Sequence, residues 1–359
     1  MKTPKAGPID LRSDTFTKPT AAMYEALRDA PLGDDVYGED PTVRRLEERA
    51  AELTGKEAAL LVSSGTQGNL VALMALCERG DEVLLGAHTD LYNFENGGLA
   101  VLAGLYPRPF DDETGWIRPE AAEAAIRPKD VHFGRTRVLA VENSHARSGG
   151  TPIPLGALQE LADLAELKGL IVHMDGARLF NAAVAMDVDP AEITRFAETV
   201  TFCLSKGLSC PAGSVLCGTA GVIDKARRIR KMLGGGMRQS GWIAAPGLVA
   251  LGDIGRLAED HRRARKLAEL LAGIEGIKVK NDVRTNIVIV ETEEPVPSAR
   301  CLIEALRGQG VLCFSIGKGV RMVVHRWIGD EDIDEVAAAT RRAVAAAGRR
   351  AADAPASPY

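Results

Sequence analysis

Between residues 58 and 217, short apolar runs alternate with stretches of helical spacing, and few architectures satisfy that alternation. Ala58–Ser63 (AALLVS), Glu82–Leu85, Arg137–Val141 (RVLAV), Leu170–Met174 (LIVHM), Thr199–Leu204 and Ser214–Cys217 read as strands. Helical spacing fills residues 41–54, with Pro41 suited to a first turn and Gly55 to a stop, then Gly68–Arg79, closed by Gly80, and residues 155–168. Strands that alternate with helices imply βαβ units and an α/β fold on a mostly parallel sheet.

The layout changes near residue 245. Residues 244–272 read as one long helix with a charged stretch at 259–266 (EDHRRARK). Strands follow at Thr285–Glu291, Val311–Ile316 and Val320–His325, with helices at 297–307 and 331–347, which makes a small second α/β domain. A chain of 359 residues is long enough for two cores. The Ala/Pro/Ser-rich tail, residues 348–359, is expected to be disordered.

Composition excludes several classes. With 44 basic and 49 acidic residues the net charge is −5, which argues against non-specific binding to nucleic acid or an anionic membrane. The first 15 residues hold no apolar core of a signal peptide, and no stretch approaches a membrane span. Cys77, Cys203, Cys210, Cys217, Cys301 and Cys313 form no CxxC pair, so they read as buried free thiols in a reducing cytoplasm and not as a zinc site. No metal is expected. His132, His261 and His325 read as surface or capping residues, and Trp242 as core or interface.

Three segments carry chemistry. In Phe202–Gly207 (FCLSKG) a lysine follows an apolar strand and so lies at a strand end, where open α/β sheets place ligands. Alone, such a lysine is usually a solvated surface residue. In His173–Arg178 (HMDGAR) Asp175 also ends a strand, and alone it could simply cap a helix. Together they suit pyridoxal phosphate, which needs a lysine amine and an acidic partner for its ring nitrogen. Ser63–Asn69 (SSGTQGN) is a small-residue turn from strand to helix, where backbone N–H groups can meet an anion. It matches neither dinucleotide nor Walker patterns and could be an ordinary tight turn. The order turn, aspartate, lysine is more specific than any one piece.

These segments, with DLRSDT (10–15), GDDVYGEDPTV (33–43), ENSH (142–145), HMDGARLFNA (173–182), CLSKGL (203–208) and RKMLGGGMRQSG (230–241), resemble the L-threonine aldolase family. The resemblance implies a fold type I pyridoxal-phosphate enzyme: a large, mostly parallel sheet domain of the seven-stranded type and a small C-terminal α/β domain. The expected boundaries are 1–30 (a segment contributing to the active site and small domain), 31–245, 246–347 and the tail. It implies that Lys206 is the Schiff-base lysine, that Asp175 pairs with the ring nitrogen and that Arg178 pairs with the phenolic oxygen. Gly65 and Thr66 would hold the cofactor's phosphate, and Ser205 would also bind the cofactor. Lys231 and Arg238 would reach the phosphate of a neighbouring subunit, making a homodimer or homotetramer with shared sites. Ser13 and Arg321 would hold the substrate carboxylate, and His145 would lie near the β-hydroxyl.

The chain departs from the family pattern at one place. The family has a histidine five residues before the glutamate of E-x-G-G, and its ring stacks on the cofactor. Here HTDLYNFENGG puts Asp90 at that position and His88 two residues earlier. Either the loop shifts and His88 stacks, or Asp90 replaces the ring, or Tyr92 or another ring does. An aspartate cannot stack, but it can act as a base or orient a polar substrate. The implied reaction cleaves a β-hydroxy-α-amino acid to glycine and an aldehyde. The alternatives are a β-eliminating or racemising enzyme on the same scaffold and a catalytically silent cofactor-binding protein.

Overall fold

A computed structural model describes residues 7–294 and 296–352. In chain order the strands are β1 (Ile9–Asp10), β2 (Ala58–Val62), β3 (Glu82–Gly86), β4 (Tyr106–Phe110), β5 (Thr136–Glu142), β6 (Ile171–Asp175), β7 (Thr199–Cys203), β8 (Ser214–Gly218), β9 (Ile277–Val279), β10 (Ile287–Thr292), β11 (Val311–Leu312), β12 (Phe314–Ile316) and β13 (Gly319–Val323).

Contacts divide the chain into two units: Thr17–Gly255, and the chain up to Phe16 together with the chain from Arg256 onward. The division splits the expected segment 1–30 and falls ten residues beyond 245. The first unit is built on a seven-stranded sheet of order β2-β8-β7-β6-β5-β3-β4. Only β8 runs against its neighbours; the other pairings are parallel. Each predicted strand of this sheet appears within a residue of its expected bounds. The strand β4 was not foreseen. Its sequence, YPRPF, carries two prolines, which an edge strand tolerates because one row of its backbone groups has no ladder partner. Two core clusters, one with Leu73, Val83, Leu85 and Val138 and the other with Leu60, Val62, Val71 and Leu216, join strands of this sheet to the helix Gly65–Leu76.

The second unit holds a four-stranded antiparallel sheet of order β12-β13-β10-β9 and a parallel pair, β1 with β11. Leu11, Leu267, Val288, Leu302, Met322 and Val336 share its core.

Three expectations are corrected here. The long helix over 244–272 is two helices, Gly241–Leu251 and Leu257–Ala272, with a 3-10 turn at Ile254–Arg256 where the chain passes between units. The strand over 311–316 is split at Cys313, because β11 pairs with β1 and β12 with β13. The last helix runs Asp330–Ala352, so residues 348–352 are helical and not disordered. Residues 353–359 of the expected tail lie outside the described residues. No described helix is long and apolar enough to cross a membrane.

Candidate active site

Parallel pairing brings strand ends together. Glu142 at the end of β5 lies in register with Asp175 at the end of β6, and Asp175 with Thr201 near the end of β7. Lys206 follows β7 by three residues, and the Thr17 hydroxyl donates to its carbonyl at 2.9 Å. Asp175 is buried; its Oδ1 accepts the Ala177 N–H at 3.0 Å and its Oδ2 accepts from Asn69 Nδ2 at 2.9 Å. Burial pushes the Asp175 carboxyl up and Asp90 adds to this, while Lys206 and the two hydrogen bonds pull it back. Burial would pull the Lys206 amine down, but Cys203, Asp90 and Asp175 outweigh it and hold the amine above its ordinary range. Arg178, also buried, stands at the head of the helix Leu179–Met186 and opposes the Lys206 charge. Thus Lys206, Asp175, Arg178 and Asp90 share one electrostatic neighbourhood.

The small-residue turn opens the helix Gly65–Leu76, three residues earlier than predicted. Ser64 caps it, its Oγ accepting the Gln67 N–H at 3.2 Å. That leaves the first-turn N–H groups of Gly65 and Thr66 without helical partners and available to an anion. A Cβ at Gly65 would lie 2.9 Å from Cys203 Sγ, so any larger residue there would force the Cys203 side chain to move. Ser214 Oγ, beside Gly65, and Thr201 Oγ1, beside Gly68, are buried without a hydrogen-bond partner. A buried acid, an amine and an open helix N-terminus on one sheet edge fit a group that carries a ring nitrogen, an aldehyde and a phosphate. Pyridoxal phosphate is such a group.

In the segment from residue 86 to 95, His88, Asp90 and Tyr92 have different surroundings. His88 turns to Asp112, whose Oδ1 accepts both the His88 backbone N–H at 3.0 Å and its Nδ1–H at 2.7 Å. Tyr92 is exposed. Asp90 is half-buried at the head of the short helix Asp90–Asn93, and no hydrogen bond to its carboxylate is among the described contacts. Its charge acts on Lys206, Asp175, Glu142, Glu95 and His145. Its backbone N–H donates to Glu142 Oε2 at 2.7 Å, while Glu142 Oε1 accepts the Ala146 N–H at 2.8 Å. Glu142 therefore ties the Asp90 loop to the ENSH loop. Burial, with the Asp90 charge adding, pushes the Glu142 carboxyl up to about 7.

His145 is buried with both ring nitrogens engaged. The Ser148 N–H donates to Nδ1 at 3.2 Å, so Nε2 carries the proton and donates to Asp112 Oδ2 at 3.1 Å. Burial would lower its pKa, but Asp112 and Glu142 outweigh it and raise it. Burial likewise works to raise Asp112, and the two histidines overcome it.

A profile of the beta-eliminating lyases matches residues 10–295. The chain is 45% identical to the low-specificity L-threonine aldolase of Escherichia coli K12 over 92% of its own length and 97% of that protein's. This chain belongs to the beta-eliminating lyase family, among the L-threonine aldolases. It is also 44% identical to a probable low-specificity L-threonine aldolase of Arabidopsis thaliana, over 91% and 95% of the two chains. The threonine aldolase of Leishmania major shares the fold at a TM-score of 0.82 and 18% identity, over 94% of this chain and 100% of that one. The fold is that of type I pyridoxal-phosphate enzymes.

In the second unit, Arg321 donates to the carbonyl of Arg12 at 3.4 Å, next to Ser13, so the two predicted carboxylate ligands share a neighbourhood. The GDDVYGEDP and RKMLGGGMRQSG segments fold on each other through Arg238–Asp34 and the buried Arg230–Asp35 pair, both at 2.8 Å. Arg238 is thereby exposed but paired, and Lys231 is exposed. Ser205 is half-buried beside Lys206. His132 is exposed as expected, whereas His261 and His325 are buried, and Trp242 is 58% exposed and so is not core. Five cysteines are buried and free; Cys301 is free but exposed. Asn69, Glu95, Glu142, Asp112 and His173 were given no role from sequence. All but Asp112 lie inside or beside segments already singled out, which is the signal that marked them.

Proposed function

We propose that this protein cleaves the Cα–Cβ bond of a β-hydroxy-α-amino acid to give glycine and an aldehyde, using pyridoxal phosphate. The observation that carries the reading is the convergence of Asp175 and Lys206 on the sheet edge where the Gly65–Thr66 turn is open to an anion. Lys206 would hold the cofactor through its amine, Asp175 its ring nitrogen and Arg178 its phenolic oxygen. Gly65 and Thr66 would hold its phosphate, and Ser205, next to Lys206, would also contact the cofactor. Bound there, the cofactor supplies a sink for the electron pair released when Cα–Cβ breaks. Ser13 and Arg321 would fix the substrate carboxylate, which determines the bond at Cα that is aligned for cleavage. Asp90, a carboxylate with no described hydrogen-bond donor beside Lys206, takes the β-hydroxyl proton as the aldehyde forms. His145, with both nitrogens committed, keeps Asp112 and the ENSH loop in place.

We infer a homodimer or homotetramer in the cytoplasm, with Lys231 and Arg238 reaching a neighbour's phosphate. Leu32 and Trp242 are exposed around Arg238, and Tyr37 lies under its guanidinium, an apolar surface suited to a second copy. Borohydride reduction of the holoenzyme followed by peptide mapping tests the site. The label is expected on Lys206, and a label on another lysine overturns the assignment.

A further inference from the structure

Behind Asp175 runs a chain of buried polar groups that the reaction above does not use. Thr199 on β7, His173 on β6 and Asn69 in the helix Gly65–Leu76 are all buried. Thr199 Oγ1 lies 2.8 Å from His173 Nδ1, and His173 Nε2 lies 3.2 Å from Asn69 Oδ1. The Asn69 amide nitrogen donates to Asp175 Oδ2 and to Glu95 Oε1, each at 2.9 Å.

Donor and acceptor roles along this chain are forced. Two carboxyl oxygens face one end of the Asn69 side chain, so that end must be the NH2. Its carbonyl then faces His173 and can only accept, so His173 carries its proton on Nε2. His173 Nδ1 is left as an acceptor, and the Thr199 hydroxyl donates to it. From Thr199 through His173 and Asn69 the hydrogen bonds run toward Asp175, with one branch from Asn69 to Glu95, and bonds aligned in this way strengthen one another in a low-dielectric interior. Burial pushes the His173 pKa down to about 3, so the ring stays neutral and the direction of the chain does not change with pH. Glu95, pushed up to about 9 by burial and by Asp175, stays protonated and leaves Asp175 as the charged partner of Asn69.

We propose that Asn69 is a positioning residue for Asp175, and that His173 in its Nε2–H form orients the Asn69 amide, so that together they hold Asp175 ionised toward the cofactor's ring nitrogen. The inference rests on the proposed role of Asp175. A hydrogen bond to a charged group contributes about 1.5–3 kcal/mol, which is a factor of roughly 10–100 in affinity.

The test measures binding of pyridoxal phosphate, and of its 1-deaza analogue, which lacks the ring nitrogen, to the full-length protein stripped of cofactor. Asn69→Ala and His173→Leu are expected to weaken pyridoxal phosphate by roughly tenfold or more and the analogue by less than about threefold. His173→Gln, whose amide N–H stands where Nε2–H stood, should restore binding to within about threefold. The double variant Asn69→Ala/His173→Leu should bind no worse than Asn69→Ala, because His173 acts through Asn69. Equal losses for the cofactor and the analogue, or additive losses in the double variant, overturn the proposal. Asp175→Ala separates the two levels. If it weakens the cofactor selectively while Asn69→Ala does not, this inference alone fails. If Asp175→Ala leaves binding unchanged, the reading of Asp175 fails and this inference with it.

Discussion

Replacing Glu95 with glutamine should change how the stability of the cofactor-free protein depends on pH. In the folded chain Glu95 keeps its proton up to about pH 9, against an ordinary value of 4.5. Between those two values the folded state binds one proton more than the unfolded state, so this group's contribution to stability falls as pH rises, by about 1.4 kcal/mol per unit. From pH 5.5 to 7.5 the loss is on the order of 3 kcal/mol; it is absent below about pH 4.5 and complete above about pH 9. Glutamine does not titrate, and it keeps an oxygen to accept from Asn69 where Glu95 Oε1 does at 2.9 Å. Asp175 and Glu142 are present in both proteins, so their contributions largely cancel in the difference. At roughly 2 °C per kcal/mol, the melting temperature of the wild type should drop by about 6 °C more than that of Glu95→Gln between the two pH values. Scanning calorimetry of both proteins at pH 5.5 and 7.5 measures this. Parallel curves would show that Glu95 is already ionised when folded, and the account of its burial would fall.

Asp90→Asn should lower kcat for threonine cleavage by about 10²-fold or more, with cofactor affinity changed little, as expected when a general base is removed; a kcat within threefold of wild type refutes the role. Asp112→Asn replaces one of two acceptor oxygens that hold His88 and His145 at 2.7 and 3.1 Å, so it should loosen both. The expected sign is deuterium uptake in the 143–148 loop, and unchanged exchange there would count against the clamp. Arg230→Met removes a buried partner of Asp35 and a donor to the Leu61 carbonyl. It should cost about 3–5 kcal/mol in denaturant unfolding, and a cost under 1 kcal/mol would show that Asp35 finds another partner.

Most of the large sheet was legible because parallel strands buried on both faces are continuous apolar runs, as at Arg137–Val141 and Leu170–Met174. What escaped was set by context. The break at Gly252–Arg256 was read through because apolar spacing resumes beyond it, although Gly252 and Gly255 are stop signals of the same kind as Gly55 and Gly80. Cys313 separates two strands that differ only in which partner each pairs with. Lys206, Asp175 and the Gly65 turn could be read because each sits at a strand end or helix start, which local pattern locates. Asn69 could not be assigned, since its partners Glu95 and Asp175 are 26 and 106 residues away and only the folded sheet edge brings them together. The departure at Asp90 was visible in the sequence, whereas the contact between the His88 ring and Asp112 was not, because 24 residues separate the two.

The proposed reaction breaks the Cα–Cβ bond. Purified holoenzyme incubated with L-threonine should yield glycine and acetaldehyde in equal amounts, and Lys206→Ala should yield neither. Ammonia with 2-oxobutanoate would mean β-elimination, and scrambled stereochemistry at Cα without cleavage would mean racemisation; either product pattern contradicts the account.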